Sequence, residues 1–416
     1  MEKMLYMYFK YICNFVILDI QINEESTKMD ETQVKTPEIA RFDALKPFKH
    51  VTRHREIVRQ FTPNWFALTM GTGIVFLVLL AAPFRLAGQH TVAEALWMID
   101  IVFFTVFSIL FMARLVRFPE TFKPMLDHPV QSMFLGAIPM GLIPIVNGLS
   151  VFGPELFGPA ALSVAHALWW IDAGLAVSIA CLVPYRMFTT QQHSTEQMTA
   201  VWLLPIVAPE VTASSAGVLA PHLSHSAAQL LVGTGYVLWA ISVPLAFSIL
   251  TIVFLRLALH KLPHRDMAAS SWLTLGPIGT GSLGLLLLGQ AAPAAFAGTV
   301  LEQVAIVARD FGLLGGLLLW GVGVWWLVIA VILTVRYQRE GMTFNMGWWG
   351  FTFPIGVYTA TTFALYRLTQ FFPFAVIGTA LTVALIGFWL IVVSKTLKGM
   401  WHGNLFQAPC LATPRK

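Results

Sequence analysis

From Pro63 to His402 the chain is a succession of long apolar runs separated by short polar breaks. The runs extend well past eighteen residues and lack the strict two-residue alternation of barrel strands, so they predict membrane-spanning helices. Ten such runs begin near residues 63, 92, 128, 159, 199, 225, 269, 309, 345 and 372, and each reaches the roughly twenty residues that one crossing of the hydrocarbon core requires. The polar breaks are uneven in charge. Arg114, Arg117, Lys123, Arg186, Arg256, Lys261, Arg265, Arg336 and Arg339 follow the even runs, whereas the opposite ends carry few, among them Arg85 and Arg367. With a basic segment over residues 41–60 and with Lys395, Lys398, Arg415 and Lys416 near the end, the positive-inside rule puts both termini in the cytoplasm of a multi-pass plasma-membrane protein.

Odd and even runs differ in texture. The odd ones contain "MGTG" (70–73), "GAIPMGLIP" (136–144), "PIVAPE" (205–210), "GPIGTGS" (276–282) and "FTFPIG" (351–356), while the even ones are smooth and bulky, as in "DIVFFTVFSILF" and "WWLVIAVILTV". Odd runs recur at intervals of about 65 to 76 residues, the mark of a repeated unit, here a helical hairpin used five times. Proline frees a carbonyl one turn earlier and glycine bares the backbone, and hydrocarbon tolerates neither unless protein or water lies alongside. Kinks are therefore expected at Pro139, Pro144, Pro205, Pro209 and Pro277, on odd helices gathered inside a ring of even ones. Close helix packing explains any one of these positions; their recurrence in every odd run points to a central pore. The predicted fold is all-α, ten transmembrane helices as five hairpins, with odd helices inner and even helices outer.

Composition agrees with this class. Of 416 residues 57% are hydrophobic and 11% charged, too few polar groups to cover a soluble globule of that size. The net charge of +5 reads as membrane topology rather than nucleic-acid binding. Cys13, Cys181 and Cys410 are scattered, without the spacing of a disulfide framework or zinc site. Residues 1–60 are expected to form a cytoplasmic, disordered extension ending in the basic juxtamembrane segment, residues 61–402 the transmembrane domain, and residues 403–416 a short cytoplasmic tail. A signal peptide is the alternative for the first twenty residues, but no small-residue cleavage site follows; Met29, ahead of "DETQVKTPE", is an alternative start.

Candidate chemistry narrows to the membrane. "GTGSLG" (279–284) fits the dinucleotide-binding pattern letter for letter, yet no strand precedes it and no acidic ribose partner follows, so nucleotide binding is rejected. No Walker A motif and no metal or cofactor constellation occurs. His128, His166, His193, His260, His264 and His402 fall mostly at span ends or in loops, which argues against a membrane enzyme. A receptor bundle would not need breaks in every alternate helix. Glu210, beside Pro209 on an inner run, is either a proton-sensitive site or a carboxyl bonded to a neighbouring helix. Asp100 and Asp172, on outer runs, read as structural, and His166 can join Asp172 or simply pack. An anion path needs donors that do not trap the anion; Thr69, Thr72, Asn147, Thr212, Ser214, Ser215, Thr280, Ser282 and Thr352 all lie on odd runs and are the candidate lining. The opposing reading is that such hydroxyls bond back to their own helices.

The segments "FTPNWFALTMGTGIV" (61–75), "HPVQSMFLGAIPMG" (128–141), "TAVWLLPIVAPEVTASSAGVLA" (199–220), "LGPIGTGSLGLLLLG" (275–289) and "FNMGWWGFTFPIGVY" (344–358) resemble the tellurite-resistance/dicarboxylate transporter family. That family includes yeast malate permeases, plant guard-cell slow anion channels and fungal sulfite-efflux pumps, and "FTPNWF", "HPVQS" and "TAVWLLPIVA" are most similar to the last. The resemblance implies ten helices around a pore, a small-anion cargo such as sulfite or malate, no cofactor, a lipid bilayer as surroundings, and an assembly that is often a homotrimer. The family's pore-occluding phenylalanine, just before a proline in the ninth helix, carries over onto Phe353, with Pro354 beside it. Glu210 departs from the neutral residue expected in the sulfite-efflux branch.

Overall fold

The computed structural model describes residues 55–411, all helical or loop without a strand among them. Ten helices follow one another as hairpins: α1 Phe66–Ala81 and α2 Gln89–Arg117, α3 Ala137–Val151 and α4 Ala160–Thr189, α5 Leu203–Leu219 and α6 His225–His260, α7 Leu275–Ala295 and α8 Glu302–Arg339, α9 Phe353–Thr369 and α10 Phe372–His402. Among the described residues nine helices, with their lead-in turns, are long and apolar enough to cross a membrane; α9 is the exception. Its 17 residues carry Thr359, Thr361 and Thr362 at the centre. Because α9 is buried from Phe353 to Leu365, it has no lipid-facing side that would demand more apolar residues. The predicted extension falls largely on residues 1–54, outside the described residues, but its last part is ordered, with a short helix at Arg55–Arg59.

Two concentric rings result. Helices α1, α3, α5, α7 and α9 each pack on the next, and α9 returns to α1. Every even helix rests in the groove between its hairpin partner and the following odd helix: α2 on α1 and α3, α4 on α3 and α5, α6 on α5 and α7, α8 on α7 and α9, α10 on α9 and α1. The most apolar windows of α1, α3, α5 and α7 have between 72% and 89% of their residues buried, those of the even helices between 17% and 33%. Close approach needs small residues: a side chain on Gly217 of α5 would collide with the backbone of Leu287 in α7, and one on Gly279 with Val357 and Tyr358 in α9.

A fivefold device locks the rings together. One tryptophan on each outer helix donates its indole N–H to the following inner helix: Trp97 to the Ile145 carbonyl at 3.3 Å, Trp169 to the Thr212 carbonyl at 3.0 Å, Trp239 to the Gly281 carbonyl at 2.8 Å, Trp320 to Thr362 Oγ1 at 2.9 Å and Trp389 to Thr72 Oγ1 at 3.1 Å. The indole supplies a large apolar surface toward the bilayer-depth packing and a single donor for the inner helix. The recurrence of tryptophan at residues 97, 169, 239, 320 and 389 is the sequence signal of this repeat.

The inner helices share a second regularity, which corrects the expectation of kinks. Four of the five are directly preceded by a tighter turn, such as Ser132–Gly136 before α3, Ala200–Trp202 before α5 and Met346–Phe351 before α9, and α7 by the short helix Ser270–Leu273. Pro139, Pro205, Pro277 and Pro354 all stand in the first turn of the α-helix that follows, where the missing N–H would have no intrahelical partner anyway. They start helices rather than bend them. Only Pro144 and Pro209 of the predicted set lie inside α3 and α5. Among the outer helices, α4 has an interior proline at Pro184 and α6 at Pro244.

The basic residues after the even runs do more than mark topology. Arg114 is fully buried; its Nε donates to Thr121 Oγ1 at 2.9 Å, and its terminal nitrogens reach the Phe61 carbonyl and, at 3.7 Å, Cys410 Sγ. Arg256 donates from Nε and Nη2 to the Glu196 carbonyl at 3.1 and 2.6 Å, and Arg186 pairs with Asp127. The segment after α10 is drawn in as well, Phe406 stacking on Trp65 at 5.0 Å and the Ala408 N–H donating to Gln60 Oε1 at 2.8 Å. Replacing Arg114 by Met leaves a buried carbonyl without its charged donor and is expected to cost roughly 2 to 4 kcal/mol. Thermal unfolding in detergent checks this; an unchanged midpoint would contradict it.

Candidate functional site

The site is best built outward from α9. Asn345 caps the turn at Met346–Phe351, its side chain accepting the Gly347 N–H at 2.8 Å, and the Thr352 hydroxyl donates to the Trp349 carbonyl at 2.8 Å. Pro354, the second residue of α9, then fixes the helical φ at the point where the helix begins. Three faces of α9 are occupied. Gly356 abuts Ile74 of α1, and Val357 and Tyr358 meet Gly279 of α7, where Thr361 Oγ1 also donates to the Gly279 carbonyl at 2.9 Å. On the outer side the Tyr358 hydroxyl donates to the Trp320 carbonyl of α8 at 2.7 Å, and Phe363 covers Gly378 of α10.

What remains is the face carrying Phe353, Ala360 and Ala364, at i, i+7 and i+11, directed to the middle of the inner ring. These residues keep 5%, 7% and 4% of their surface, whereas Tyr358, Thr359, Thr361 and Thr362 keep none. Among the described residues Phe353 stacks on no other ring, unlike its neighbour Phe351, which packs against Trp272, Trp348 and Phe388. The Trp348 ring carries Lys395 Nζ at 5.3 Å from its centroid, while Trp349 is buried and donates to Thr396 Oγ1 at 3.2 Å.

The polar candidates are spread over several interfaces. Thr69 donates to the Phe66 carbonyl at 2.8 Å and meets Gly141 of α3. Thr72 faces Trp389 of α10, Ser282 donates to the Gly316 carbonyl of α8 at 2.7 Å, and Thr212 donates to Asp172 Oδ2 of α4 at 2.6 Å. Ser215 donates to Asn147 Oδ1 at 2.6 Å, joining α5 to α3, and Thr352 lies against Gly71. Ser214 donates within α5 to Val211 and keeps 6% of its surface; with Val207 and Val211 it lies on the α5 face turned away from α4, α6 and α3. Thr280 reaches Glu210, and Glu210 also accepts from Ser242 Oγ of α6 at 3.2 Å. Glu210 thus sits where α5, α6 and α7 meet. Asp100, fully buried against Gly73 and Pro144, has no hydrogen-bond partner on either oxygen among the described residues. His166 pairs with Trp170 at 3.0 Å rather than with Asp172.

Sequence reasoning missed the apolar character of the inward face, because it searched for donors, and Ala360 and Ala364 carry none. It also missed a polar knot where α3 and α5 begin. His128 Nδ1 accepts the Val130 and Gln131 N–H groups, both at 3.2 Å, and Gln191 donates to the Leu126 carbonyl at 2.6 Å and Ser132 Oγ at 3.0 Å. His193 bonds Gln191 Oε1 at 2.8 Å and packs edge-on against Trp202. Burial pushes both imidazoles below their usual pKa, which suits a ring nitrogen acting as acceptor.

Comparison with known proteins fits this architecture. Residues 60–397 match the voltage-dependent anion channel (SLAC1) family. The chain is 38% identical over 355 residues to the sulfite efflux pump SSU1 of Arthroderma otae, covering 84% of this chain and 93% of the relative. It is 28% identical over 352 residues to an uncharacterized transporter of Methanocaldococcus jannaschii, covering 84% and 98%. It is 22% identical over 361 residues to the malic acid transport protein of Schizosaccharomyces pombe, covering 84% and 80%. With hairpins paired into two rings and a match over most of its length, this chain belongs to the voltage-dependent anion channel family of membrane anion transporters.

Proposed function

We propose that this protein carries small anions across the plasma membrane along the axis of its inner ring, with sulfite as the exported cargo and malate as the second choice. The observation that carries the reading is the inward face of α9, headed by Phe353. Sulfite ranks first because relatives named sulfite efflux pumps are 38% identical, against 22% for the malic acid transport protein. In this reading α9 is the tenth membrane crossing, both termini are cytoplasmic, and three copies assemble with a path in each. No charged side chain is among those assigned to the axis, so an anion meets Ser214, backbone dipoles and apolar walls, which let it leave as readily as it enters. The Phe353 ring blocks the path until it rotates aside. Thr69, Thr72, Asn147, Thr212, Ser215, Ser282 and Thr352 support the walls by their contacts with neighbouring helices, and Thr280 stands between the path and Glu210, the proton-sensitive group.

Purified protein in liposomes should pass labelled sulfite faster than labelled malate. Absence of flux for any anion would remove the transport reading, and a malate preference would reverse the order of cargo. Running the same vesicles with and without a pH gradient separates a passive channel, whose flux follows the anion gradient alone, from a proton-coupled carrier.

A further inference from the structure

Neighbouring inner helices share the phrase Pro-Ile-Gly in their first turns, preceded by glycine on one and phenylalanine on the other. Gly276-Pro277-Ile278-Gly279 opens α7 and Phe353-Pro354-Ile355-Gly356 opens α9. Each proline lies in the first turn, so Gly276 occupies on α7 the place that Phe353 occupies on α9. The faces of α7 are assigned by their contacts: Gly279 meets α9, Ser282 and Gly316 tie it to α8, Gly284 abuts Trp239 of α6, and Thr280 reaches Glu210 of α5. Leu287 meets Gly217 of α5, and the remaining face holds Gly276 and Leu283, at the same i, i+7 spacing as Phe353 and Ala360.

Gly276 differs from the other glycines of the inner helices. A side-chain carbon built there meets no atom within 4 Å, although the residue is buried; it is the one buried glycine among the described residues with such open space. Elsewhere in the inner ring a glycine allows two helices to touch, as Gly279 does directly above. At Gly276 none of the described residues fills the place, and on the adjacent helix, at the matching position, stands a phenylalanine free of ring partners among them.

Building on the transport reading, we infer that Gly276 is the berth into which the Phe353 ring swings when the path opens. A ring leaving the axis must displace nothing if the receiving wall has no side chain, and packed interiors otherwise resist such a movement. The glycine sets the height of the gate rather than touching the anion.

The test is a double-mutant cycle in sulfite-loaded liposomes. Gly276→Val, by filling the berth, should reduce flux at least about fivefold in the otherwise unaltered chain, and by less than about twofold when Phe353→Ala has already removed the ring. Equal loss in both backgrounds would mean that valine simply plugs the path, and no loss in either would mean that the ring moves elsewhere; both overturn the berth. Gly276→Ala, whose added carbon has no neighbour within 4 Å, carries the same comparison if the valine variant does not fold. An unaltered chain that passes no anion at all overturns the transport reading instead, so the two failures are distinguishable.

Discussion

Phe353→Ala should raise anion flux through reconstituted protein by about tenfold or more, the rate gained when roughly 1.4 kcal/mol leaves the barrier. Two effects compete in this substitution. Truncating a packed phenylalanine ordinarily costs 3 to 5 kcal/mol of stability, on the order of a whole core contact. Phe353, however, lies on the face of α9 turned to the middle of the ring, keeps 5% of its surface and stacks on no other ring among the described residues. Its removal should therefore cost less stability than removal of Phe351, which is wedged between Trp272, Trp348 and Phe388. The informative comparison is the pair. Phe353→Ala is expected to conduct more and melt nearly as before, Phe351→Ala to melt earlier without a matching gain in flux. Unchanged current in correctly folded Phe353→Ala protein would end the gate assignment, whatever the flux of the parent.

The architecture was largely legible because membrane crossing imposes length, and because backbone exposed by glycine or proline must be hidden from lipid. Those two constraints located most of the helices to within a few residues, though the eighth begins at Glu302 rather than near 309, and sorted the buried helices from the exposed ones before any contact was known. They failed where local geometry decides. A proline in sequence reads as a break, and only the position of the preceding turn reveals that Pro139, Pro205 and Pro277 begin helices. The lining was harder still. Threonine and serine on an inner helix can face the axis, their own backbone or the next helix, and periodicity alone does not choose. Thr72, Thr212 and Ser282 turned out to face outer helices, while the inward stripe on α9 is alanine, a residue that carries no chemical signal. Phe353 was reached through a family resemblance rather than through spacing, and its inward direction follows from the three faces of α9 that other helices fill.

Glu210→Gln should fold and carry anions but lose the pH dependence of flux. The carboxyl of Glu210 is fully buried between α5, α6 and α7, accepts from Thr280 and Ser242, and has no cation beside it among the described residues. An amide keeps the shape and one acceptor oxygen, so the interhelical clasp survives in part, but it cannot gain or lose a proton. Two consequences separate. If the group only clasps helices, the glutamine variant keeps the parent pH profile and loses about 1 kcal/mol of stability for a weakened bond. If it exchanges a proton with the path, Thr280 is the natural relay, since its hydroxyl stands between Glu210 and the Gly276 carbonyl, 2.8 Å away, and its single proton can turn to either, directly behind the open inward face of α7. The profile then flattens in Glu210→Gln and also in Thr280→Val, while Thr280→Ser, which restores the hydroxyl, returns it. A pH series of sulfite flux across these three variants reads the difference directly. A profile unaltered by both Glu210→Gln and Thr280→Val assigns the carboxyl to the structure alone, because no proton reaching it would then be felt in the path.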